Sequence, residues 1–200
     1  MANLLGQLQM PKNPAAAIPL LRRAAELADL DVPQPAYVFG MLLLGEFDQV
    51  DVPVQLLMAT VQLKPSEGGD PRMREARRFI ERAAYLCFPP AQYKFGFSYE
   101  HAKMGCPFDP LLSVQYYSLA SQQGEVEADM ALSKWFLCGS EGSFEKDEVL
   151  AVTFAEKAAK KGLASAEFAM GYYCEVGVGT PKDINAARKW YQLVSHPPFH

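Results

Sequence analysis

Three histidines are the first residues whose chemistry could support catalysis or metal binding: His101, His196 and His200. His101 follows Glu100, but adjacent side chains on a helix point about 100° apart, so we predict that they do not form an acid–base pair. His196 and His200 lack the further ligands that a zinc site needs. We therefore expect no catalytic residue, no metal and no cofactor.

Two short segments look like parts of active sites. GVGT at 177–180 looks like a phosphate-binding loop, yet no Lys-Ser or Lys-Thr follows at the required spacing and no strand precedes it. Ser140 lies in CGSEG, where Cys138 replaces the first glycine of the hydrolase nucleophile elbow. Both segments are better explained as turns between helices. We predict that the protein is not an enzyme, and detectable turnover would contradict this.

Composition excludes several other classes of function. The chain has 200 residues, half of them hydrophobic, with 19 Lys and Arg against 23 Asp and Glu. Its net charge of −4 argues against a nucleic-acid surface and against attraction to anionic lipid. No stretch approaches the ~18 apolar residues of a membrane span, and the N-terminus does not look like a secretory signal. We expect a cytoplasmic protein with no direct membrane insertion in this segment.

The four cysteines are widely spaced and form no CxxC pair. This pattern favours reduced, mostly buried thiols, although a reactive thiol or a disulfide stays open. They are Cys87, Cys106, Cys138 and Cys174.

An internal repeat is the main signal in the sequence. Trp190, Phe154, Tyr116 and Phe79 are separated by 36, 38 and 37 residues. Each of the last three is followed, four and five positions later, by two small residues. A second landmark agrees with the first, because Gly162, Gly124 and Cys87 each precede an alanine by four positions. Two agreeing landmarks at this period indicate a repeat protein.

Each repeat is predicted to form two helices. The first helix has apolar residues at i, i+3, i+4 and i+7 and ends at a glycine-rich turn. The second helix begins at an aspartate that can cap it, and small residues let neighbouring helices approach closely. We predict an all-α fold, an α-solenoid of helix-turn-helix repeats. The capping aspartates are Asp70, Asp109, Asp147 and Asp183, and the small residues are Ala76, Ser113, Ala151 and Ala187.

The repeats predict that the whole chain forms a single array, without separate domains. In the insert of the first full repeat, Val54–Val61 is predicted to be a short helix and Lys64–Asp70 a turn-rich loop. We expect the chain to be part of a longer protein, and a homodimer through its C-terminal end stays open. The predicted boundaries are a partial repeat at 14–28, a repeat at 35–87 with an insert at 45–69, and repeats at 91–124, 128–162 and 166–195.

These landmarks resemble the Sel1-like repeat, a relative of the tetratricopeptide repeat. The best match is FAMGYYCEVGVGTPKDINAARKWY at 168–191, which departs from that family's pattern only at Cys174, where a tyrosine is usual. Within the superfamily, the chain is similar to the fungal chitin synthase activator family. The segments that carry this second resemblance are 36–47, 90–125, 127–148 and 154–179.

The resemblance implies a regulatory subunit without chemistry of its own. Such a protein binds and activates or localises chitin synthase in cell-wall and septum synthesis, and its partners include cortical scaffold proteins. It would reach the plasma membrane or septum through these partners. The alternative is a general Sel1-repeat adaptor in another complex, for membrane-protein quality control or signalling.

A partner-binding stripe is predicted on the first helix of each repeat, which lines the concave face in stacked helix pairs. The stripe residues lie three before, one after and four after the landmarks Gly40, Gly96, Ser133 and Gly171. Aromatic residues and Met, which dominate interface cores, are frequent among them. Burial of part of the stripe against neighbouring helices is the alternative. The candidates are Tyr37, Met41, Tyr93, Phe97, Glu100, Met130, Lys134, Phe168, Tyr172 and Glu175.

Overall fold

The computed structural model of the chain describes residues 12–47, 49–62 and 70–195. Within these ranges all regular elements are α-helices, apart from an isolated bridge between Ser140 and Phe144. The predicted all-α class is therefore confirmed. The helices are α1 Pro14–Glu26, α2 Gln34–Leu44, α3 Val54–Met58, α4 Pro71–Tyr85, α5 Pro89–Glu100, α6 Pro110–Gln122, α7 Val126–Cys138, α8 Glu148–Ala159, α9 Ala164–Val176 and α10 Ile184–Ser195.

The chain divides into two compact units. The N-terminal unit, Met1–Phe108, contains α1 to α5, and the C-terminal unit, Asp109–His200, contains α6 to α10. In the N-terminal unit α2 packs mainly on α4, with α1 against α2 and α5 against α4. In the C-terminal unit each helix from α6 to α10 packs on the next one along the chain. Neighbour-on-neighbour packing of this kind is typical of helical repeats.

The starts of four helices follow the predicted caps. At each start an aspartate carboxylate accepts a hydrogen bond at 2.9 Å from a backbone N–H of the first turn. Pro71 and Pro110 occupy the first helical position, where no partner is needed for the missing N–H. All four predicted N-caps are confirmed: Asp70, Asp109, Asp147 and Asp183.

The turns before α5, α7 and α9 use left-handed backbone at equivalent positions. Gly124 has φ of 94° and Gly162 has φ of 82°, and Cys87 takes the same role with φ of 58°. A residue with a Cβ pays roughly 1–2 kcal/mol in this conformation, so glycine is favoured there. This requirement explains why the landmark recurs as glycine in two repeats and why Cys87 is strained in the third.

Close helix contacts explain the second set of glycine landmarks. A Cβ on Gly40 would lie 2.5 Å from Ile80 Cγ1, so the contact between α2 and α4 depends on the missing side chain. Ala76 on α4 is fully buried at the same contact, with its carbonyl oxygen 3.0 Å from that position. The small residues predicted to admit close packing are all buried: Ala76, Ser113, Ala151 and Ala187.

The insert of the N-terminal unit docks through a buried ion pair. The predicted helix at Val54–Val61 is confirmed in shorter form as α3, whereas the predicted loop at Lys64–Asp70 lies outside the described residues except for Asp70. Arg22 Nη2 lies 2.7 Å from Glu75 Oε1, and both side chains are buried. The residues after α3 contact this pair, because Arg22 donates to the carbonyl of Thr60 and the N–H of Gln62 donates to Glu75 Oε2.

Candidate partner-binding surface

The stripe of the N-terminal unit is half-buried, and the chain's own cations cover its central ring. Phe97 on α5 stacks on His101, with ring centroids 4.2 Å apart. Lys103 Nζ lies 4.9 Å from the centroid of Phe97 and Lys94 Nζ lies 5.7 Å from it. Cations at these distances from an aromatic ring attract its negative face. The ring of Phe97 is therefore already contacted by His101 and by two lysines of the same unit.

The other stripe residues of this unit also contact neighbouring side chains. Tyr37 packs edge-on against Phe88, with ring centroids 5.3 Å apart. Met41, Tyr93 and Glu100 are half-buried. The partly buried alternative therefore describes the stripe of the N-terminal unit.

The structure places Glu100 and His101 closer than the sequence predicted. Glu100 is the last residue of α5 and His101 leaves helical geometry, with φ of −114° and ψ of 11°. This change brings His101 Nδ1 to 3.9 Å from Glu100 Oε2, which is within ion-pair range for a protonated imidazole but too long for the hydrogen bond of an acid–base pair. His101 Nδ1 also lies 3.1 Å from the carbonyl oxygen of Phe97. The exposed imidazole therefore contacts the end of its own helix.

Met130 does not belong to the exposed stripe. It is 9% exposed and packs in the core of the C-terminal unit with Ala155, Ala158 and Met170. The helical spacing had placed it with the surface positions. Alanines on α8 and α9 let these helices close over α7, so the longer methionine side chain fills the space between them. The prediction of an exposed Met130 was wrong.

The remaining stripe residues of the C-terminal unit are exposed. Phe168 is 58% exposed and Tyr172, one helical turn later on α9, is 47% exposed. Lys134 on α7 and Glu175 on α9 are exposed as well. A contiguous patch of exposed apolar side chains, unlike scattered ones, is a common mark of an interaction surface.

Tyr191 on α10 joins this surface, although the stripe prediction missed it. Its ring lies 5.5 Å from that of Phe168, and its hydroxyl donates a 2.8 Å hydrogen bond to Glu175 Oε2. This hydrogen bond to the carboxylate is the main cause that raises the pKa of Tyr191. We call the surface formed by Phe168, Tyr172, Glu175 and Tyr191 the aromatic ledge.

Gly171 makes room for the ledge. A Cβ at this position would lie 2.4 Å from Cε1 of Tyr191, so the tyrosine ring crosses α9 directly over the glycine. The sequence contained this signal, because Gly171 was a repeat landmark and Tyr191 ends the best-matching repeat segment. The spacing rule selected residues on the first helix of each repeat only, and Tyr191 belongs to a second helix.

The described residues offer neither a metal cluster nor a membrane-spanning helix. Among them, no cluster of three or more His, Cys, Asp or Glu side chains has the arrangement of a metal site. In the same ranges, no helix has both the length and the apolar character needed to cross a bilayer.

The model of the Sel1 repeat matches residues 1–29, 89–125, 126–163 and 164–193, which together are more than half of the chain. The chain belongs to the Sel1 repeat family. The fold agrees with this assignment, because a crystal structure of a Sel1 repeat protein from Oxalobacter formigenes superposes with a TM-score of 0.73. That alignment covers 99% of this chain and 70% of the other, at 22% identity, and shows the shared fold.

Two curated relatives carry names that describe a regulatory role. The chain is 43% identical over 113 residues to chitin synthase regulator SKT5 of Malassezia restricta, covering 56% of this chain. It is 37% identical over 177 residues to chitin synthase regulatory factor 4 of Schizosaccharomyces pombe, covering 88% of this chain. The aligned parts are 8% and 26% of those relatives, so the chain spans a minor part of their length. The resemblance predicted from the sequence is confirmed, while all the predicted repeat boundaries, including the repeat at 35–87 with its insert at 45–69, stay predictions.

Proposed function

We propose that this chain is a non-catalytic adaptor that binds chitin synthase and activates or localises it in cell-wall and septum synthesis. The observation that carries the proposal is the 37% identity to a chitin synthase regulatory factor along 88% of the chain. A helical repeat array suits this role, because its stacked helices offer side chains for protein contact at regular intervals.

The exposed half of the stripe supports partner binding most directly. Phe168 and Tyr172 offer large apolar areas on α9, the helix that also carries the exposed Glu175, and Lys134 is exposed on α7 of the same unit. Aromatic residues with a few polar neighbours are enriched at the centres of protein interfaces. The contribution of Tyr37, Met41, Tyr93, Phe97 and Glu100 is smaller in this proposal, because these residues are already half-buried.

Activation by such an adaptor works through preferential binding. If the chain binds one conformation of the synthase more tightly than another, the population of that conformation rises. The same binding localises the enzyme when the adaptor also contacts a cortical scaffold protein. The adaptor itself would be cytoplasmic and would be held at the plasma membrane or septum through these partners.

Isothermal titration calorimetry of the full chain with cytosolic segments of a chitin synthase tests the proposal. Three proteins are compared: wild type, the ledge variant Phe168→Ala/Tyr172→Ala, and the control Tyr85→Ala. Tyr85 is 85% exposed on the N-terminal unit and lies outside the stripe. Its replacement by alanine therefore also removes an exposed aromatic ring, but away from the ledge. We expect wild type and Tyr85→Ala to bind equally and the ledge variant to lose at least about tenfold in affinity, since interface aromatics often contribute 2 kcal/mol or more.

Helical circular dichroism of all three proteins must agree before the affinities are compared. Absence of binding by wild type would reject chitin synthase as the partner and favour an adaptor of another complex. Equal binding by all three proteins would keep the partner and reject the ledge as its binding surface.

A further inference from the structure

The aromatic rings of the two stripes differ in whether a cation covers them. In the N-terminal unit Lys103 and Lys94 lie over the stripe ring Phe97. No Lys or Arg among the described residues lies over Phe168 or Tyr172. The cation–π contact is therefore made within the chain in the N-terminal unit, whereas the rings of the C-terminal unit have no such cation in the described structure.

The ledge carries a carboxylate, Glu175, three residues after Tyr172 on α9. Its Oε2 accepts a 2.8 Å hydrogen bond from the hydroxyl of Tyr191. In the described part of the chain, no Lys or Arg nitrogen lies within 4 Å of Glu175. Oε1 is thus available to a donor from another molecule.

Two exposed cations lie on other helices of the same unit. Lys134 is exposed on α7, and Arg188 is exposed on α10, three residues before Tyr191. Neither forms an ion pair with Glu175 in the described structure. The negative charge of the ledge is therefore not cancelled by direct contact within the chain.

We infer that the aromatic ledge binds an arginine side chain presented by the protein partner. A planar guanidinium can stack on Phe168 or Tyr172 and at the same time donate hydrogen bonds to Glu175. An acidic side chain would instead meet a carboxylate and the negative faces of the rings. This inference rests on the proposed function, because it names the chemistry of the partner at the same surface.

The test uses an array of nine-residue peptides that have no other charged residue. Each sequence is spotted with arginine, citrulline or glutamate at its centre, and binding of the full chain is measured. Citrulline matches the shape of arginine but is neutral, so the ratio of the two signals isolates the charge. We expect binders to favour arginine over citrulline by about tenfold, as for a partly desolvated cation on aromatic rings beside a carboxylate.

Three variants locate the effect on the chain. Glu175→Gln should reduce the preference for arginine several-fold, and Phe168→Ala/Tyr172→Ala should abolish binding of the arginine peptides. Tyr85→Ala should bind as wild type does. Equal signals from the arginine and citrulline forms of the same peptide, or a preference for the glutamate form, would overturn the inference. So would an unchanged arginine preference in Glu175→Gln.

A second copy of the chain is the competing occupant of the ledge. Sedimentation velocity of wild type at two concentrations shows whether the chain self-associates, and a dimer lost in Phe168→Ala/Tyr172→Ala would overturn the inference. The calorimetric titration with chitin synthase segments is independent of the array. If the peptide signals do not depend on charge but the chain still binds the synthase segments, only the arginine inference is rejected. If the peptides show the arginine preference but the chain does not bind the synthase segments, only chitin synthase as the partner is rejected.

Discussion

The aromatic stripe residues of the two units differ in how far they are covered. In the N-terminal unit the stripe ring Phe97 is covered by Lys103, Lys94 and His101. In the C-terminal unit Phe168 and Tyr172 occupy the stripe positions that Tyr93 and Phe97 occupy in the N-terminal unit. They are about half exposed, without a covering cation in the described structure. The repeat geometry is shared, so the difference comes from where the charged residues lie. Repeats of the same fold can thus leave equivalent ring positions covered or exposed.

Buried charge, by contrast, is used in a similar way by both units. In the N-terminal unit Glu75 is fully buried and pairs with Arg22 from another helix. In the C-terminal unit Asp129 is fully buried, and Lys157 Nζ on α8 lies 2.7 Å from its Oδ1. Ser121 Oγ on α6 donates to the same oxygen at 2.5 Å. One carboxylate in each unit therefore ties separate helices together.

The largest expected effect is the loss of the ion pair in the N-terminal unit. Arg22→Met should lower the free energy of unfolding by about 3 kcal/mol, because it leaves the carboxylate of Glu75 buried with weaker partners. The double variant Arg22→Met/Glu75→Leu should recover most of this loss, since it removes both charges. Chemical denaturation measures both values.

Arg23→Met is the matched control for that prediction, because Arg23 is exposed on the same helix. Its stability should stay within about 0.5 kcal/mol of wild type. A double variant no more stable than Arg22→Met would contradict the assignment of the loss to an unpaired charge.

A smaller effect is expected where the ledge is built. Gly171→Ala forces the ring of Tyr191 to move, because the new methyl group would overlap it. The variant should be destabilised by about 1–2 kcal/mol, the range of modest overpacking. It should also lose the hydrogen bond to Glu175, so the pKa of Tyr191 should fall back toward the ordinary value for tyrosine. Absorbance of the phenolate during a pH titration reports this change.

Ser165→Ala, at an exposed position on the same helix, should change neither stability nor the titration of Tyr191. If Gly171→Ala left the pKa of Tyr191 raised, the glycine would not be what positions the ledge.

The smallest expected effect depends on pH in the C-terminal unit. Burial, followed by the hydrogen bond and negative charge of Glu127, raises the pKa of Glu125 from 4.5 to about 7. The folded chain therefore keeps a proton that the unfolded chain releases, and the stability falls as the pH rises from about 4.5 to about 7. Glu125→Gln lacks this loss. It should exceed wild type in stability by about 1 kcal/mol at pH 8, a value reduced by solvent screening of the half-buried carboxyl.

Urea denaturation at pH 5 and pH 8 tests this prediction. The advantage of Glu125→Gln over wild type should be small at pH 5 and larger at pH 8. Glu141→Gln, at an exposed position of the same unit, should show no such change between the two pH values. An advantage of equal size at both pH values would contradict the raised pKa as its cause.

Local features of the fold were predictable because they depend on short stretches of chain. The four aspartate caps and the glycine landmarks follow from backbone hydrogen bonding and from steric limits within one turn. The exposure of Met130 was predicted wrongly, because helical spacing tells which residues share a face but not which neighbouring helix covers that face. Tyr191 was missed for the same reason, since it reaches the ledge from the next helix.

The sequence by itself determined the all-α class, the repeat period, the helix starts and the similarity to chitin synthase regulators. These depend on residues close together in the chain or on matches along it. Only the tertiary structure decided which stripe residues are covered, how the buried ion pair holds the insert, and that Glu175 and Tyr191 meet. Those outcomes depend on packing that brings together side chains from separate helices, and no local pattern encodes this packing. Glu175 and Tyr191 are 16 residues apart in the chain, and Arg22 and Glu75 are 53 residues apart.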